Sequence, residues 1–429
     1  MENDQTKDLE AVTWFDPLLS LKDPDRLIEQ LALNPRNKAQ KRAASCLLAN
    51  AYLFSLNPEK HFMVISRRPE TYTKNRYRID AVGFRPFLQR VLPRFEKLKL
   101  IKLAKIGMSD RDELGIGFSR RSRYVPTIKL LRVLASHEIT IQDVDKGNPE
   151  TIILRAEKPK RDYRYKRDYR HKQEKRLTGE EIIYTDTDKT RELRAWLDEY
   201  NSFVQSFDID FPTHLEPKYR SATGFHRVFN VDFEHGGRLV GHWIFNIKKE
   251  QRHLLKLNGE QVTELDFKSM YPNILYSVAG LNYHQFHNDA DPYQIVNFGR
   301  DLVKFGFLVA MTNNTRRGFG KALKNRLRDE GWTEERLNFN STPLLNAILR
   351  KHSPVEHLLF DKKTANHCTY LEATLLQTVL NYYLQWKAPV LPMHDGIITT
   401  KSERDRLKKV MEFEADRFLV SVPGVEIEY

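Results

Sequence analysis

The sequence has little cysteine and no long apolar run. Only Cys46 and Cys368 occur, far apart and without Cys-x-x-Cys spacing, which excludes a zinc ribbon, a redox motif and a disulfide scaffold. No segment approaches the ~18 consecutive apolar residues of a transmembrane helix. The first residues, MENDQTKDLE, are acidic and polar, whereas a signal peptide is basic and then apolar. We therefore expect a cytoplasmic protein with no membrane partner.

Positive charge is in excess, with 70 Lys and Arg against 57 Asp and Glu. Residues 158–176, KPKRDYRYKRDYRHKQEKR, hold ten of these cations, three acids and three tyrosines. Guanidinium groups bind phosphates and tyrosine rings stack on bases, so this segment predicts contact with nucleic acid, while a solvated linker is the other interpretation. The candidate nucleic-acid contacts are Arg161, Arg164, Lys166, Arg167 and Arg170 in this segment, and Arg316 and Arg317 in a second basic segment.

The length of 429 residues suggests two or three domains. Residues 1–150 predict a mainly helical N-terminal domain, with a helical stretch over 25–54 and then the order helix, strand, basic loop, strand. That order is the outline of a winged-helix DNA-binding domain, although purely structural domains also contain it. Residues 151–180 form a basic tether, and 181–429 form the domain that carries the chemistry.

Two β-like runs in the second domain meet at Asn258-Gly259, which predicts a tight hairpin because both turn positions need positive φ. The second arm of this hairpin ends at Asp266, between Leu265 and Phe267. A carboxylate between two large apolar neighbours is unfavourable to bury unless a cation meets it there. This stretch therefore predicts a metal ion beside Asp266.

A second carboxylate, Asp395, lies in HDG between two apolar β-like runs, as in the turn of another hairpin. Two such aspartates brought together would hold two divalent ions ~3.5 to 4 Å apart, able to activate a hydroxyl and stabilise a leaving pyrophosphate. Between them, Arg300 and Lys304 share a helix face and would bind a triphosphate. Each residue alone has a structural alternative, as a turn residue, a helix cap or a solvated face. Their order along the chain favours the chemical interpretation.

The same residues carry a resemblance to polymerases. DFKSMYPNI resembles motif A of family-B DNA polymerases, D-F-x-S-L-Y-P, with Met270 in place of Leu. RDLVK, YLEATLLQTVL and MHDGII resemble the R-x3-K helix, the helix before the last hairpin and the H-D-E hairpin of family-A enzymes, with Gly396 in place of Glu. The chain is also similar to phage- and plasmid-borne proteins that pair such motifs. The resemblance covers about residues 215–429 and implies an α+β polymerase-type palm with an antiparallel sheet and helical fingers.

The resemblance implies roles for individual residues. Asp266 and Asp395 would bind two Mg²⁺ ions, with Mn²⁺ as a substitute and the carbonyl of Phe267 as a further ligand. His394 would lie near the primer terminus as a catalytic residue. The nucleotide site would comprise Arg300 and Lys304 on the β and γ phosphates, Tyr271 under the incoming sugar, and Ser269 and Phe267. Arg238 and Arg252 are either contacts to nucleotide or template, or structural residues.

The function implied is a template-directed nucleotidyltransferase that extends or initiates DNA chains during replication of a phage, plasmid or other mobile element. Its partners would be dNTPs and a primer–template or single-stranded template. A phage-type RNA polymerase or primase is an alternative, because those enzymes share the H-D hairpin. A DNA-binding replication initiator or regulator without catalysis is another. The two aspartates and the R-x3-K pair argue against this last alternative, because an inactive site has no chemical need for all four.

Overall fold

A computed structural model describes residues 12–57, 59–106, 109–111, 117–119, 121–146, 150–157, 179–212, 223–393 and 395–429. Contacts divide the described chain into two compact units, one running to Glu150 and the other beginning at Thr151. Each unit has its own hydrophobic core. The basic segment 158–176 and His394, both singled out by the sequence, lie outside the described residues.

The first unit is a mixture of strands and helices. Its strands are β1 (Val12–Trp14), β2 (Leu19–Leu21), β3 (Phe62–Ile65), β4 (Ile101–Lys105), β5 (Ser109–Arg111), β6 (Gly117–Ser119), β7 (Ser122–Pro126) and β8 (Val144–Lys146). Its α-helices are α1 (Asp25–Gln30), α2 (Lys38–Ser55), α3 (Leu92–Lys97) and α4 (Ile128–Ser136), and a π-helical segment, Arg85–Val91, leads into α3.

The main sheet of this unit has the strand order β1-β3-β7-β4, with β1 parallel to β3 and the other pairs antiparallel. Helix α2 begins where the side chain of Asn37 accepts a hydrogen bond from the backbone N–H of Gln40. The helix predicted over 25–54 is interrupted, because Asn34 has a positive φ of 48° and Pro35 has no N–H to continue a helix. The winged-helix arrangement stays a prediction.

The second unit is also mixed, and its strands carry the site. The strands are β9 (Ile152–Arg155), β10 (Ile209–Asp210), β11 (His226–Asn230), β12 (Gly236–Val240), β13 (Lys256–Leu257), β14 (Glu260–Phe267), β15 (Val390–Met393), β16 (Gly396–Thr400) and β17 (Val425–Ile427). The helices are α5 (Asp188–Gln205), α6 (Met270–Val278), α7 (Tyr283–His287), α8 (Arg300–Thr312), α9 (Phe319–Asp329), α10 (Glu334–Leu337), α11 (Thr342–Lys351), α12 (Lys362–Trp386) and α13 (Arg404–Phe418).

Strand β14 is the centre of an antiparallel sheet in the second unit. The strand order is β10-β13-β14-β16-β15, and β17 also pairs with β14, at its C-terminal end. The predicted hairpin is confirmed, because Asn258 and Gly259 have φ of 51° and 82° and join β13 to β14. The α+β class is confirmed by this sheet and by the long helix α12, which packs against β12 and α6.

The core of the second unit forms where the strands meet the helices. Leu265 of β14 and Ile397 of β16 are fully buried, and so is Leu375 of α12. Burying side chains of this size stabilises the fold by about 1.5 to 3 kcal/mol each. The strand ends that carry the polar side chains are therefore held in place by a packed apolar core. In the described ranges, no helix is both long and apolar enough to cross a membrane.

Candidate active site

The two aspartates predicted from sequence come together at one end of the central sheet. Asp266 of β14 lies opposite Gly396 of β16, and Asp395 lies in the turn that joins β15 to β16. Gly396 was predicted as part of that turn, but it is the first residue of β16, because it already pairs with Asp266 and Met393. Two carboxylates 129 positions apart in the sequence therefore share one strand end.

The carboxyl group of Asp266 has a raised pKa. Burial, and then the negative charge of Asp395, raise its pKa to about 8, although the backbone N–H of Phe267 donates to its Oδ1 at 2.8 Å and acts in the opposite direction. The carboxyl group therefore keeps its proton to a higher pH than an ordinary aspartate does when no cation is near. A divalent cation would displace this proton, because it favours the ionised form.

The raised pKa predicts how the stability of the metal-free protein changes with pH. Between about pH 4 and pH 8 the folded chain keeps a proton on Asp266 that the unfolded chain has released, so the free energy of unfolding falls as pH rises through this window. Asp266→Asn should remove this part of the dependence. Thermal denaturation in EDTA from pH 4 to pH 9 measures the effect. If the free energy of unfolding changed equally with pH in both proteins, the raised pKa of Asp266 would be contradicted.

Two further acids lie beside Asp266, and sequence reasoning missed them. Glu426 of β17 lies opposite Asp266, and Glu428 follows two residues later. Carboxylate oxygens of these three residues lie within 4.8 Å of one another. Lys249 pairs with Glu428 at 2.8 Å, and Lys268 lies 3.9 Å from Glu426. The alternation in VEIEY was the available signal, because residues two apart in a strand share a face.

This donor set fits a magnesium-type ion. Carboxylate oxygens are the ligands that Mg²⁺ and Mn²⁺ prefer in proteins. Gly396 stands at the position of the Glu in the H-D-E motif. Any side chain at this position would put its Cβ 3.0 Å from the carbonyl oxygen of Leu265 and 3.5 Å from Oδ1 of Asp266. Position 396 is therefore crowded, and the extra acids beside Asp266 come from β17 instead. The carbonyl of Phe267 as a ligand stays a prediction.

Tyr271, in the first turn of α6, is held by residues from two other elements. Its hydroxyl accepts a hydrogen bond from Nη2 of Arg238 at 2.8 Å and lies 3.2 Å from Oγ1 of Thr369. Arg238 in turn makes an ion pair with Glu372, a fully buried residue of α12. Arg238, which the sequence suggested as a nucleotide contact or a structural residue, is thus tied to the predicted sugar-binding residue. Glu372 and Thr369 were not recognised from sequence.

Arg252 has a structural partner in the sheet. Its Nη1 lies 2.7 Å from Oε1 of Glu264, which is buried on β14 two residues before Asp266. The hydroxyl of Tyr429 donates to the other oxygen of the same carboxylate at 3.1 Å. Burial raises the pKa of Glu264, while the charge of Arg252 opposes that rise. This pairing favours the structural interpretation of Arg252.

Arg300 and Lys304 lie one turn apart at the start of α8, and both are exposed. Nε of Arg300 lies 2.5 Å from Asp291, and the guanidinium lies 5.5 Å from the ring centre of Tyr293. Burial raises the pKa of Tyr293, and the charge of Asp395 raises it further. The buried Tyr293 is therefore close enough to both Arg300 and Asp395 for their charges to act on its pKa, and it too was missed from sequence.

The remaining predicted residues have varied positions. Ser269 adopts the left-handed conformation, with φ of 51°, at the N-cap position of α6. Met270, which stands where family-B motif A has Leu, is buried. Arg316 pairs with Glu356 at 2.6 Å, and Arg317 is exposed. The structure thus groups Ser269 with Asp266 and Tyr271, while the roles of the two arginines stay predictions.

No protein-family model matches the chain. No curated protein is similar to it in sequence. Among solved structures, it is similar to the POL domain of Pol1 from M. smegmatis in complex with DNA primer-template and dNTP, with 12% identity and a TM-score of 0.26. That alignment covers 56% of this chain and 50% of the other. A likeness this distant carries no argument about function, so the assignment rests on the geometry of the site.

Proposed function

We propose that the second unit is a template-directed nucleotidyltransferase that extends, and under some conditions initiates, DNA chains by two-metal-ion catalysis. The observation that carries the proposal is the meeting of Asp266 and Asp395 at one strand end, with the pKa of Asp266 raised in part by Asp395. Perturbed carboxylates beside further acids are typical of sites that bind metal ions. The resemblance of the sequence motifs to those of phage- and plasmid-borne proteins supports the proposal that this activity serves replication of a phage, plasmid or other mobile element.

Each residue has a proposed role in the transfer. Asp266 and Asp395 hold the ions, and Glu426 and Glu428 add ligands on the β17 side. Bound Mg²⁺ would lower the pKa of an attacking 3′-hydroxyl and neutralise charge on a leaving pyrophosphate. In the transfer, the 3′-oxygen forms a bond to the α-phosphorus and the bond to the pyrophosphate oxygen breaks. These four acids are the proposed metal ligands, and two further residues are the proposed phosphate contacts.

The phosphate contacts are proposed for the start of α8. Arg300 and Lys304 project from one face of that helix and carry the charge that a triphosphate needs. Asp291 holds Arg300 at 2.5 Å and would have to release it when the phosphates bind. The exposure of both groups is consistent with such an exchange.

One assay tests the function. The full chain is incubated with labelled dNTPs or NTPs, on primed and unprimed DNA templates, with Mg²⁺ or with EDTA. We expect Mg²⁺-dependent incorporation of dNTPs that follows the template. Incorporation of NTPs alone would favour the RNA polymerase or primase alternative. Binding of DNA with no incorporation of either nucleotide would favour the replication initiator or regulator.

Metal binding can be tested without catalysis. Replacing Glu426 and Glu428 together with Gln should weaken Mn²⁺ binding at least about 10-fold, because each change removes a charged oxygen ligand. Electron paramagnetic resonance of free Mn²⁺ gives the dissociation constant. Glu412→Gln, an exposed position on α13, is the matched control and should bind Mn²⁺ as the unmodified chain does. Equal affinity in all three proteins would remove β17 from the metal site.

A further inference from the structure

We propose that Arg238, Thr369 and Glu372 form a brace that fixes the ring of Tyr271 and thereby sets the discrimination between deoxyribonucleotides and ribonucleotides. The inference rests on the proposed function, in which Tyr271 lies under the sugar of the incoming nucleotide. None of the three residues is proposed to touch the nucleotide. They act as positioning residues through the hydroxyl of Tyr271.

The hydroxyl of Tyr271 is the point where the brace meets the ring. Nη2 of Arg238 donates to it at 2.8 Å, and Oγ1 of Thr369 lies 3.2 Å away on the other side. The guanidinium carbon of Arg238 also lies 5.8 Å from the ring centre. The ring is thus contacted at its tip and over its face, from β12 and from α12.

Glu372 fixes Arg238 in turn. Nε and Nη2 of Arg238 each donate to a carboxylate oxygen of Glu372 at 2.7 Å, and Glu372 is fully buried. Two parallel hydrogen bonds fix both the position and the plane of a guanidinium, which a lysine cannot reproduce. Thr369 and Glu372 are three residues apart on α12 and therefore share a helix face. One face of α12 thus fixes Tyr271 both directly and through Arg238.

The direction of one of these hydrogen bonds is determined by its donor. Arg238 can only donate, so the oxygen of Tyr271 accepts from it. Oγ1 of Thr369 lies 3.0 Å from the carbonyl oxygen of Ala365 and 3.2 Å from the hydroxyl of Tyr271, and either hydroxyl can donate in the second contact. Burial and the charge of Glu372 raise the pKa of Tyr271, which keeps the phenol neutral and able to donate.

Burying the carboxylate of Glu372 costs it its hydration, although the side chain of Arg238 is 33% exposed and keeps part of its own. A well-packed hydrophobic group is often as stable as an ion pair with a buried partner, or more stable. An apolar contact would also hold a ring of this size, but it would let the ring shift between alternative packings. A set of directional bonds allows one position. That is the property required of a ring that must exclude a 2′-hydroxyl.

The test compares variants that change the brace but keep the aromatic ring. Incorporation of a dNTP and of the matching NTP is measured for the unmodified chain, Tyr271→Phe, Thr369→Val and Glu372→Gln, with kcat and KM determined separately. Loss of a hydrogen bond to the ring, or of both in Tyr271→Phe, should lower the preference for dNTP about tenfold. The change should appear chiefly as a higher kcat for the NTP, because a ring free to move lets the ribonucleotide bind with its triphosphate in line.

Controls separate the brace from general packing. Thr374→Val lies on the same helix and removes a hydroxyl that donates to the carbonyl oxygen of Tyr370 at 2.8 Å, so its discrimination should equal that of the unmodified chain. Thr369→Val keeps the shape of the side chain and covers the case in which Glu372→Gln does not fold. Arg238→Lys keeps the positive charge but cannot form the two parallel hydrogen bonds to Glu372, and it should behave like Glu372→Gln.

The outcomes are distinguishable. If the unmodified chain incorporates dNTPs, and Tyr271→Phe and Thr369→Val keep its full discrimination, the brace is overturned while the proposed function stands. If the unmodified chain incorporates no nucleotide, the proposed function is overturned and the brace with it. A lower preference for dNTP in Tyr271→Phe and Thr369→Val, with Thr374→Val unchanged, supports the brace.

Discussion

Asp266→Asn and Asp395→Asn should each lower Mg²⁺-dependent nucleotide incorporation by about 1,000-fold or more. Stabilisation of transition-state charge by bound metal is worth several kcal/mol, and each ~1.4 kcal/mol corresponds to a factor of ten in rate. An amide has no charge with which to hold the ions. Single-turnover extension of a labelled primer measures the loss, and it should persist at saturating dNTP because the chemistry, and not nucleotide binding, is affected.

The same two variants must be shown to fold. Burial and Asp395 raise the pKa of Asp266 and so disfavour its charged form without metal, and the neutral amide of Asn should therefore be tolerated in the folded chain. Asp405→Asn, on the exposed surface of α13, is the matched control and should extend the primer at the normal rate. Near-normal activity in either Asp266→Asn or Asp395→Asn would show that the two-metal assignment is wrong.

Tyr271→Ala should increase incorporation of NTPs relative to dNTPs by about 100-fold. A ring against C2′ of the sugar leaves no room for a hydroxyl, so a ribonucleotide binds with its triphosphate out of line, and a displacement of about 1 Å can lower the rate of transfer ~100-fold. Removing the ring relieves this displacement. Competition between a dNTP and its matching NTP on one template measures the ratio directly.

The matched control for this change is Tyr382→Ala, because Tyr382 is an exposed tyrosine on α12. Its nucleotide preference should be that of the unmodified chain. If the unmodified chain already prefers NTPs, Tyr271 does not exclude ribonucleotides, and the RNA polymerase or primase alternative becomes the better account of the site.

Sequence reasoning was successful where structure depends on near neighbours. The Asn258-Gly259 turn and the strand that leads to Asp266 are local features, because φ preferences and apolar alternation act over a few residues. The start of α5 is local in the same way, because the side chain of its N-cap residue Thr187 accepts a hydrogen bond from the backbone N–H of Thr190. Asp395 was paired with Asp266 from the order of motifs, which supplied the long-range information that local patterns lack.

Long-range partners could not be predicted in this way. Arg238 and Glu372 are 134 positions apart, and nothing in the residues around either one indicates the other. Glu426 and Tyr293 depend equally on how strands and helices pack. Arg238 lies on β12 directly after Gly236 and Gly237, which take positive φ within the strand.

The position of β14 in its sheet has a consequence for biosynthesis. Both of its long-range partners come much later in the chain, since Val262 to Asp266 pair with β16 and Leu265 to Phe267 with β17. During translation, residues 262–267 of this strand therefore lack their strand partners while more than 120 further residues are made. Unpaired strand edges are templates for association with other chains. The segment that carries Asp266 is thus open to such association until β16 and β17 have been synthesised.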